Sequence, residues 1–452
     1  MMRFQLPTEI ADFDPFLPRF AALLGPSLWR RRAAELMRLA ESSPFQSHLV
    51  QQYHWLELEL AYLAKRRRQL GRLTARMESA QSYSALYFAA AVVELDARLS
   101  PKGRNNLRGR LRDGLKAKAG FGPIYLEVIQ AVQTMAAGFD LSPSDLEGIA
   151  RHDLSFQKGP LSLNIECKHL SVDAGRQIHQ RDFYRLMEDL RGNLERETGP
   201  EVVPAVISII LSGRMPTSNE EYKILLSAVR ESCTSSTGSE NHGKNFAIYR
   251  SSYASTFGLL PLGDAAALKK AAQGRFGANC HLVSTGEQGG KLTIVVSSEK
   301  EDDHSKPQLT AMKSALKQLP SDDPAVICLQ FDDLSFEELM SSSVAEHFQL
   351  LANYFFRTCD ASHVARVEFS AYQPTIRVDA ENFWCPVVRI LNPNFPEDKQ
   401  AKLMVGDNFE DEVASHISQR VATRQASQEE LNKAASSAAF KRRRARMDRK
   451  NQ

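Results

Sequence analysis

From Pro15 to about Leu99 apolar residues return every third and fourth position, the spacing that lines one side of a helix. It predicts helices at Ser27–Ala40, Phe45–Gln69 and Ser82–Leu99. A further helix opens with Phe121-Gly122-Pro123 and runs from Ile124 to Ala137, where Gly138 stops it. Leu126, Ile129, Val132 and Met135 form its buried stripe, and Glu127 lies beside that stripe. The period then shortens to two. Ile149–Phe156 and Leu161–Lys168 read as strands joined by the turn residues Gly159-Pro160. In the second, Leu161, Leu163, Ile165 and Cys167 alternate with Ser162, Asn164, Glu166 and Lys168. Helical spacing resumes from Ala174 to about Glu197, capped by Ser171 or Asp173, with Phe183, Leu186, Met187 and Leu190 on its core side. The apolar run Val202–Leu211 predicts a buried strand that closes the core sheet, and a helix at Asn219–Glu231 follows.

Ser232–Lys244 is polar and reads as a loop or linker. Beyond it, Asn279–Ser284 and Lys291–Ser298 form a hairpin pattern, Gln308–Leu319 a helix and Ala325–Gln330 an apolar strand. Helices to about Phe356 and strands at Val364–Ala371 and Trp384–Leu391 complete this part. The predicted class is α/β. A helical basic region over 1–118 precedes a mixed sheet with flanking helices over 119–231, a linker over 232–244, and a second, smaller α/β domain over 245–410. A polar helix and basic tail occupy 411–452.

With 452 residues, 43% hydrophobic and 25% charged, the chain is globular and long enough for more than one core. The net charge of +3 says little, but basic residues crowd the first 118 positions and the tail. Arg104, Arg108 and Arg112 are spaced four apart, which on a helix makes a ridge suited to phosphates. Six cysteines, at 167, 233, 280, 328, 359 and 385, contain no CxxC pair, which argues against a zinc ribbon or disulfide scaffold and suits a reducing cytoplasm. No apolar run approaches the roughly 18 residues of a membrane span, and the N-terminus lacks a secretory core. A cytoplasmic protein without a membrane partner is expected.

A hairpin closing on Gly159-Pro160 brings Asp153 beside Glu166, with Lys168 on the same strand face. Two other ExK tripeptides, Glu221-Tyr222-Lys223 and Glu397-Asp398-Lys399, lie in a helix and a loop, so neither presents both groups from a strand. Asp145 and Glu147 are rival carboxylates, ranked below Asp153 because the hairpin reaches Asp153 directly. Asp332 and Asp333 read as caps for a helix beginning at Ser335, and His169 and His179 as groups near the metal or facing nucleic acid. No P-loop, dinucleotide fingerprint or Ser-His-Asp arrangement is present.

Asp153 followed by Glu166-Cys167-Lys168 resembles the core of the PD-(D/E)xK nuclease superfamily, with His152 where the family name has proline. Gln180-Arg181-Asp182-Phe183-Tyr184 is similar to the QxxxY motif of RecB-like nucleases, and the resemblance covers roughly Gly120 to Leu211. It implies a restriction-endonuclease-like mixed sheet and a metal-dependent DNA nuclease. In that reading Asp153, Glu166 and the backbone carbonyl of Cys167 hold Mg²⁺, for which Mn²⁺ can substitute, and Glu127 lends a further carboxylate. Lys168 positions the attacking water or neutralises developing charge, while Gln180, Tyr184 and Arg176, one helical turn apart, contact the substrate. Genome defence or DNA repair follows by analogy alone, and RNA stays open as a substrate. Residues 245–410 are expected to bind a partner protein, read substrate or mediate self-association, and the sequence does not choose. The competing expectation is a non-catalytic subunit on a nuclease-like fold that binds nucleic acid or a partner.

Overall fold

The computed structural model of the chain describes residues 1–7, 10–73, 79–117, 119–171, 173–196, 203–261, 264–277, 279–285, 292–332, 334, 336–339, 341–372 and 387–396. The expected basic tail and residues 286–291, which join the two halves of the expected hairpin, lie outside them. Seven helices come first: α1 (Phe16–Leu24), α2 (Pro26–Ser42), α3 (Pro44–Tyr53), α4 (Trp55–Leu70), α5 (Ala80–Arg98), α6 (Pro101–Gly114) and α7 (Gly122–Ala136). The helix expected over Phe45–Gln69 is two helices. His54 leaves the helical region at φ −131° and turns its ring to Glu57 and Arg32, a break that apolar spacing does not register.

Two mixed sheets flanked by helices follow, so the protein is α/β as the pattern predicts. The first begins with β1 (Asp140–Ser142), the short helix α8 (Ser144–Glu147), β2 (Leu154–Lys158) and β3 (Leu161–Leu170). The chain continues through α9 (Gln180–Asp189), α10 (Arg191–Arg196), β4 (Ala205–Leu211), α11 (Asn219–Thr234), β5 (Glu240–His242) and β6 (Phe246–Ser252). Next come α12 (Tyr253–Phe257), α13 (Ala265–Phe276), β7 (His281–Thr285), β8 (Leu292–Ser298) and α14 (Ser305–Leu316). β9 (Ala325–Phe331), α15 (Phe336–Leu339), α16 (Ser342–Thr358), β10 (Val364–Ala371) and β11 (Val387–Leu391) complete it.

The first sheet runs β1-β2-β3-β9-β10-β11, and the second β5-β6-β4-β8-β7. β1, β2 and β3 form an antiparallel meander, β9 pairs parallel with β3 and β10 parallel with β9. The strand expected to close the first sheet, β4, instead lies at the centre of the second, between β6 and β8. Both β4 and β9 are apolar on both faces, so pattern alone marks each as a central strand without saying in which sheet. Strand pairing therefore does not follow the expected division of the chain at residue 245. β6, β7 and β8 join β4, while β9, β10 and β11 join β3. The expected linker holds the end of α11, where Cys233 is buried, and β5; its polarity reflects an exposed sheet edge.

Leu163, Ile165 and Cys167 of β3, with Val326 and Cys328 of β9, pack against the N-terminal helices. Ile327, Leu329, Val367 and Phe369 pack on the opposite face against α14 and α16, where the Phe348 and Phe369 rings stack at 4.2 Å. The second sheet buries Ile207 and Ile209 under α9 and α11, and Val206 and Val295 under α12 and α13.

The second sheet lies wholly within residues 176–302, an excursion whose two ends meet. Asp303 N–H donates to the Gly175 carbonyl at 2.9 Å, and Gln177 N–H donates to Asp302 Oδ1 at 2.7 Å. Gly175 has φ +88°, and an added Cβ would run into the Asp303 carbonyl oxygen. Gly175→Ala is therefore expected to destabilise the protein by about 1–3 kcal/mol in urea unfolding. Gly192→Ala, whose Cβ meets open space within α10, is expected to be neutral or stabilising. Equal effects at the two positions would show that the junction is not strained by a side chain.

Candidate active site

β2 starts at Leu154 opposite Ile165, so β3 runs on from Glu166 to Leu170 beyond the β2 ladder. Asp153, just ahead of β2, turns into that gap. Its Oδ2 accepts from Cys167 N–H at 2.8 Å, and its own N–H donates to Glu166 Oε2 at 3.2 Å. The strand expected over Ile149–Phe156 begins only at Leu154, because the Asp153 carboxylate takes the N–H that the ladder would have used. Lys168 Nζ donates to Glu166 Oε1, and Glu166 is 1% exposed.

Glu127 arrives from α7. Its Oε2 accepts from Arg110 Nη1 of α6 at 2.8 Å, and Arg110 Nη2 also pairs with Asp145 of α8. α7 is docked at its N-terminus by a buried carboxylate: Glu57 Oε1 accepts from Phe121 N–H at 3.2 Å. Gly122 lies flush against the His169 ring at the end of β3, leaving no room for a side chain.

Asp153, Glu166 and Glu127 thus share Lys168 and Arg110 in a largely buried cluster, and Arg110 is divided with Asp145 as well. Burial, reinforced by the Asp153 charge, pushes Glu127 up to about 8. The same two causes push Glu166 up to about 7. Burial also raises Asp153, against the Cys167 N–H and the nearby Lys168. Repulsion and desolvation leave the cluster short of positive charge.

Among the described residues no three His, Cys, Asp or Glu side chains converge as a ready ion site. Each carboxylate is turned to a fixed partner: Asp153 to Cys167 N–H, Glu166 to Lys168, Glu127 to Arg110. The donor chemistry nevertheless fits a hard divalent cation. The side-chain donors are oxygens in electrostatic deficit, and the Cys167 carbonyl lies on the same strand edge as its N–H, toward Asp153. The Cys167 thiol is buried in the core beside Cys328.

Other expected residues lie elsewhere. Helix α9 starts at Gln180, so Arg176 falls in the preceding turn and the Arg176, Gln180, Tyr184 line does not form. Gln180 N–H donates to Asp173 Oδ1 at 2.6 Å, and the Tyr184 ring packs on His48 at 4.6 Å and on Phe45, both of α3. The helices that pack on β3 are α7 and α14. Of the α6 ridge, Arg108 is held by Asp96 through two bonds of 2.8 Å and Arg104 donates to the Ala97 carbonyl, while Arg112 is exposed.

The His169 side chain does not face outward: it is 4% exposed, with Nε2 2.6 Å from Asp332 Oδ1. Asp332 is consequently a buried partner of His169 and not a surface cap; Asp333 lies outside the described residues. His179 is half-exposed beside Asp182. Glu147 accepts from Ser100 N–H at 2.9 Å and so holds the start of α6. Sequence reasoning did not single out Arg110, which pairs with Glu127 and Asp145, because the three-residue ridge directed attention to Arg104, Arg108 and Arg112.

The folded carboxylates bind protons more tightly than the same groups in the unfolded chain, whose ordinary value for glutamate is 4.5. Folded protein therefore holds the excess protons, and stability in EDTA is expected to fall as pH rises from about 4.5 to about 8. Urea unfolding across that window checks it. Glu127→Gln should flatten the upper part of the decline, and an unchanged slope in that variant would contradict the assignment. No family model, curated protein or solved structure matches this chain, so the site is known from its own geometry.

Proposed function

We propose that this protein is a metal-dependent nuclease that hydrolyses phosphodiester bonds of DNA. The observation that carries the reading is the meeting of Asp153, Glu166 and Lys168 where β3 outruns β2, with Glu127 brought in by α7. This is the constellation implied by the PD-(D/E)xK resemblance, and the mixed sheet with flanking helices supports it further. Asp153, Glu166 and the Cys167 carbonyl are the residues to hold Mg²⁺ or Mn²⁺. A divalent cation bound there supplies Lewis-acid polarisation of the phosphodiester. Lys168 supplies positive charge and a donor beside the reacting phosphate, and the buried setting strengthens both effects. Helix α6, with Arg110 in the cluster and Arg112 exposed, is the basic element best placed for nucleic acid. No described helix is long and apolar enough to cross a membrane.

A second reading draws on the Lys168–Glu166 and Arg110–Glu127 pairs, which close the cluster on itself. Under it the chain binds nucleic acid without turnover. Incubation with linear, circular and single-stranded DNA and with RNA, in Mg²⁺, Mn²⁺ or EDTA, separates the two. Metal-dependent DNA cleavage is expected, and Asp153→Ala, Glu166→Ala or Lys168→Ala should each lower the rate roughly hundredfold or more. Salt-sensitive binding with no cleavage in any metal would establish the second reading, and cleavage of RNA alone would change the substrate.

A further inference from the structure

We infer that Arg110 is a positioning residue for the metal-binding cluster, holding the Glu127 carboxylate in place from an anchor at Asp145. The inference rests on the nuclease reading and adds to it a residue that no sequence motif marks.

Its geometry is that of a clamp between elements. Arg110 rises from α6 between Leu107 and Leu111, which are buried in the core at 1% and 0% exposure, so its starting point is fixed. The guanidinium is a planar fork that can grip two carboxylates at once. One arm donates to Glu127 Oε2 at 2.8 Å on α7, and the other reaches Asp145 on α8. The far anchor is itself secured. Three consecutive residues of α8 are tied to α6: Asp145 by Arg110, Leu146 through its carbonyl to Asn106 Nδ2 at 2.8 Å, and Glu147 by Ser100.

The consequence for the site follows from where these elements lead. α8 opens the segment that ends at Asp153, and Asp145 N–H reaches the Asp153 carbonyl at 3.4 Å. Arg110 therefore couples the carboxylate of α7 to the segment that delivers Asp153. Glu127 has 17% exposure and Arg110 33%, so the pair is more sheltered than an ordinary surface ion pair. Arg110 engages one Glu127 oxygen, and its charge also bears on Asp153.

The test is a double-mutant cycle on the full chain, read by Mn²⁺ titration calorimetry and by DNA cleavage. Arg110→Met is expected to weaken Mn²⁺ binding roughly tenfold or more, as Glu127→Gln does, and the double variant should be no worse than Glu127→Gln alone. Arg110→Lys, which keeps the charge but not the fork, should recover part of the affinity. If Arg110→Met does not fold, as judged by circular dichroism, Asp145→Asn and Arg110→Lys carry the same cycle with smaller effects. Additive losses, or Mn²⁺ binding unchanged in Arg110→Met while the wild type binds and cleaves, would overturn the positioning role alone. A wild type that neither binds Mn²⁺ nor cleaves would overturn the nuclease reading and this inference with it.

Discussion

The parallel pairing of β3 with β9 is the constraint on which the rest depends. It sets Cys167 opposite Cys328 and joins parts of the chain that lie more than 150 residues apart in sequence. Parallel neighbours cannot be joined by a tight turn, and here the crossover contains an entire second sheet. Such an excursion is tolerable because loop-closure entropy grows only slowly with length. What the fold must supply is a tight junction, and the bonds from Asp303 to Gly175 and from Gln177 to Asp302 provide it.

β9 also gives β3 a covered flank, which explains why the chemistry gathers on the other side. With one edge of β3 taken by β9 and the other by β2 only as far as Ile165, the open stretch starts at Glu166. Asp153 and Cys167 satisfy each other there through backbone and side chain. Burying these carboxylates is unfavourable unless they are paired, and Lys168 and Arg110 pair with Glu166 and Glu127. The strain on the cluster follows directly: in a poorly solvated place the Asp153 charge raises both Glu127 and Glu166, and Glu166 raises Glu127 further.

A second buried polar group steadies the same end of the sheet. His169 sits against Asp332, Tyr372 and Gly122, while Glu57 caps the start of α7. The helix that carries Glu127 is thus pinned between α4 and the end of β3 before its side chain meets the cluster. Removing either support would move a carboxylate without touching it.

Sequence by itself determined many of the elements and the meeting of Asp153 with Glu166. Alternation marked β3 and its polar face, helical spacing marked α7 and the N-terminal helices, and Gly159-Pro160 marked the hairpin that brings Asp153 to Glu166. These are legible because each rests on a period of a few residues and on local turn chemistry. Tertiary structure alone decided the rest. β4 and β9 are both largely apolar runs, broken only by Ser208 and Gln330, and only long-range pairing assigned one to each sheet. Arg108 and Arg110 look alike in sequence, yet Asp96 takes one and Glu127 the other, because facing carboxylates come from other elements. Tyr184 follows Gln180 at the expected spacing and still turns to α3, since α9 packs on the second sheet and α3 while α7 and α14 are the helices on β3. The physical reason is common to all three: a periodic pattern reports how a segment buries its own face, and carries no record of which distant segment covers it.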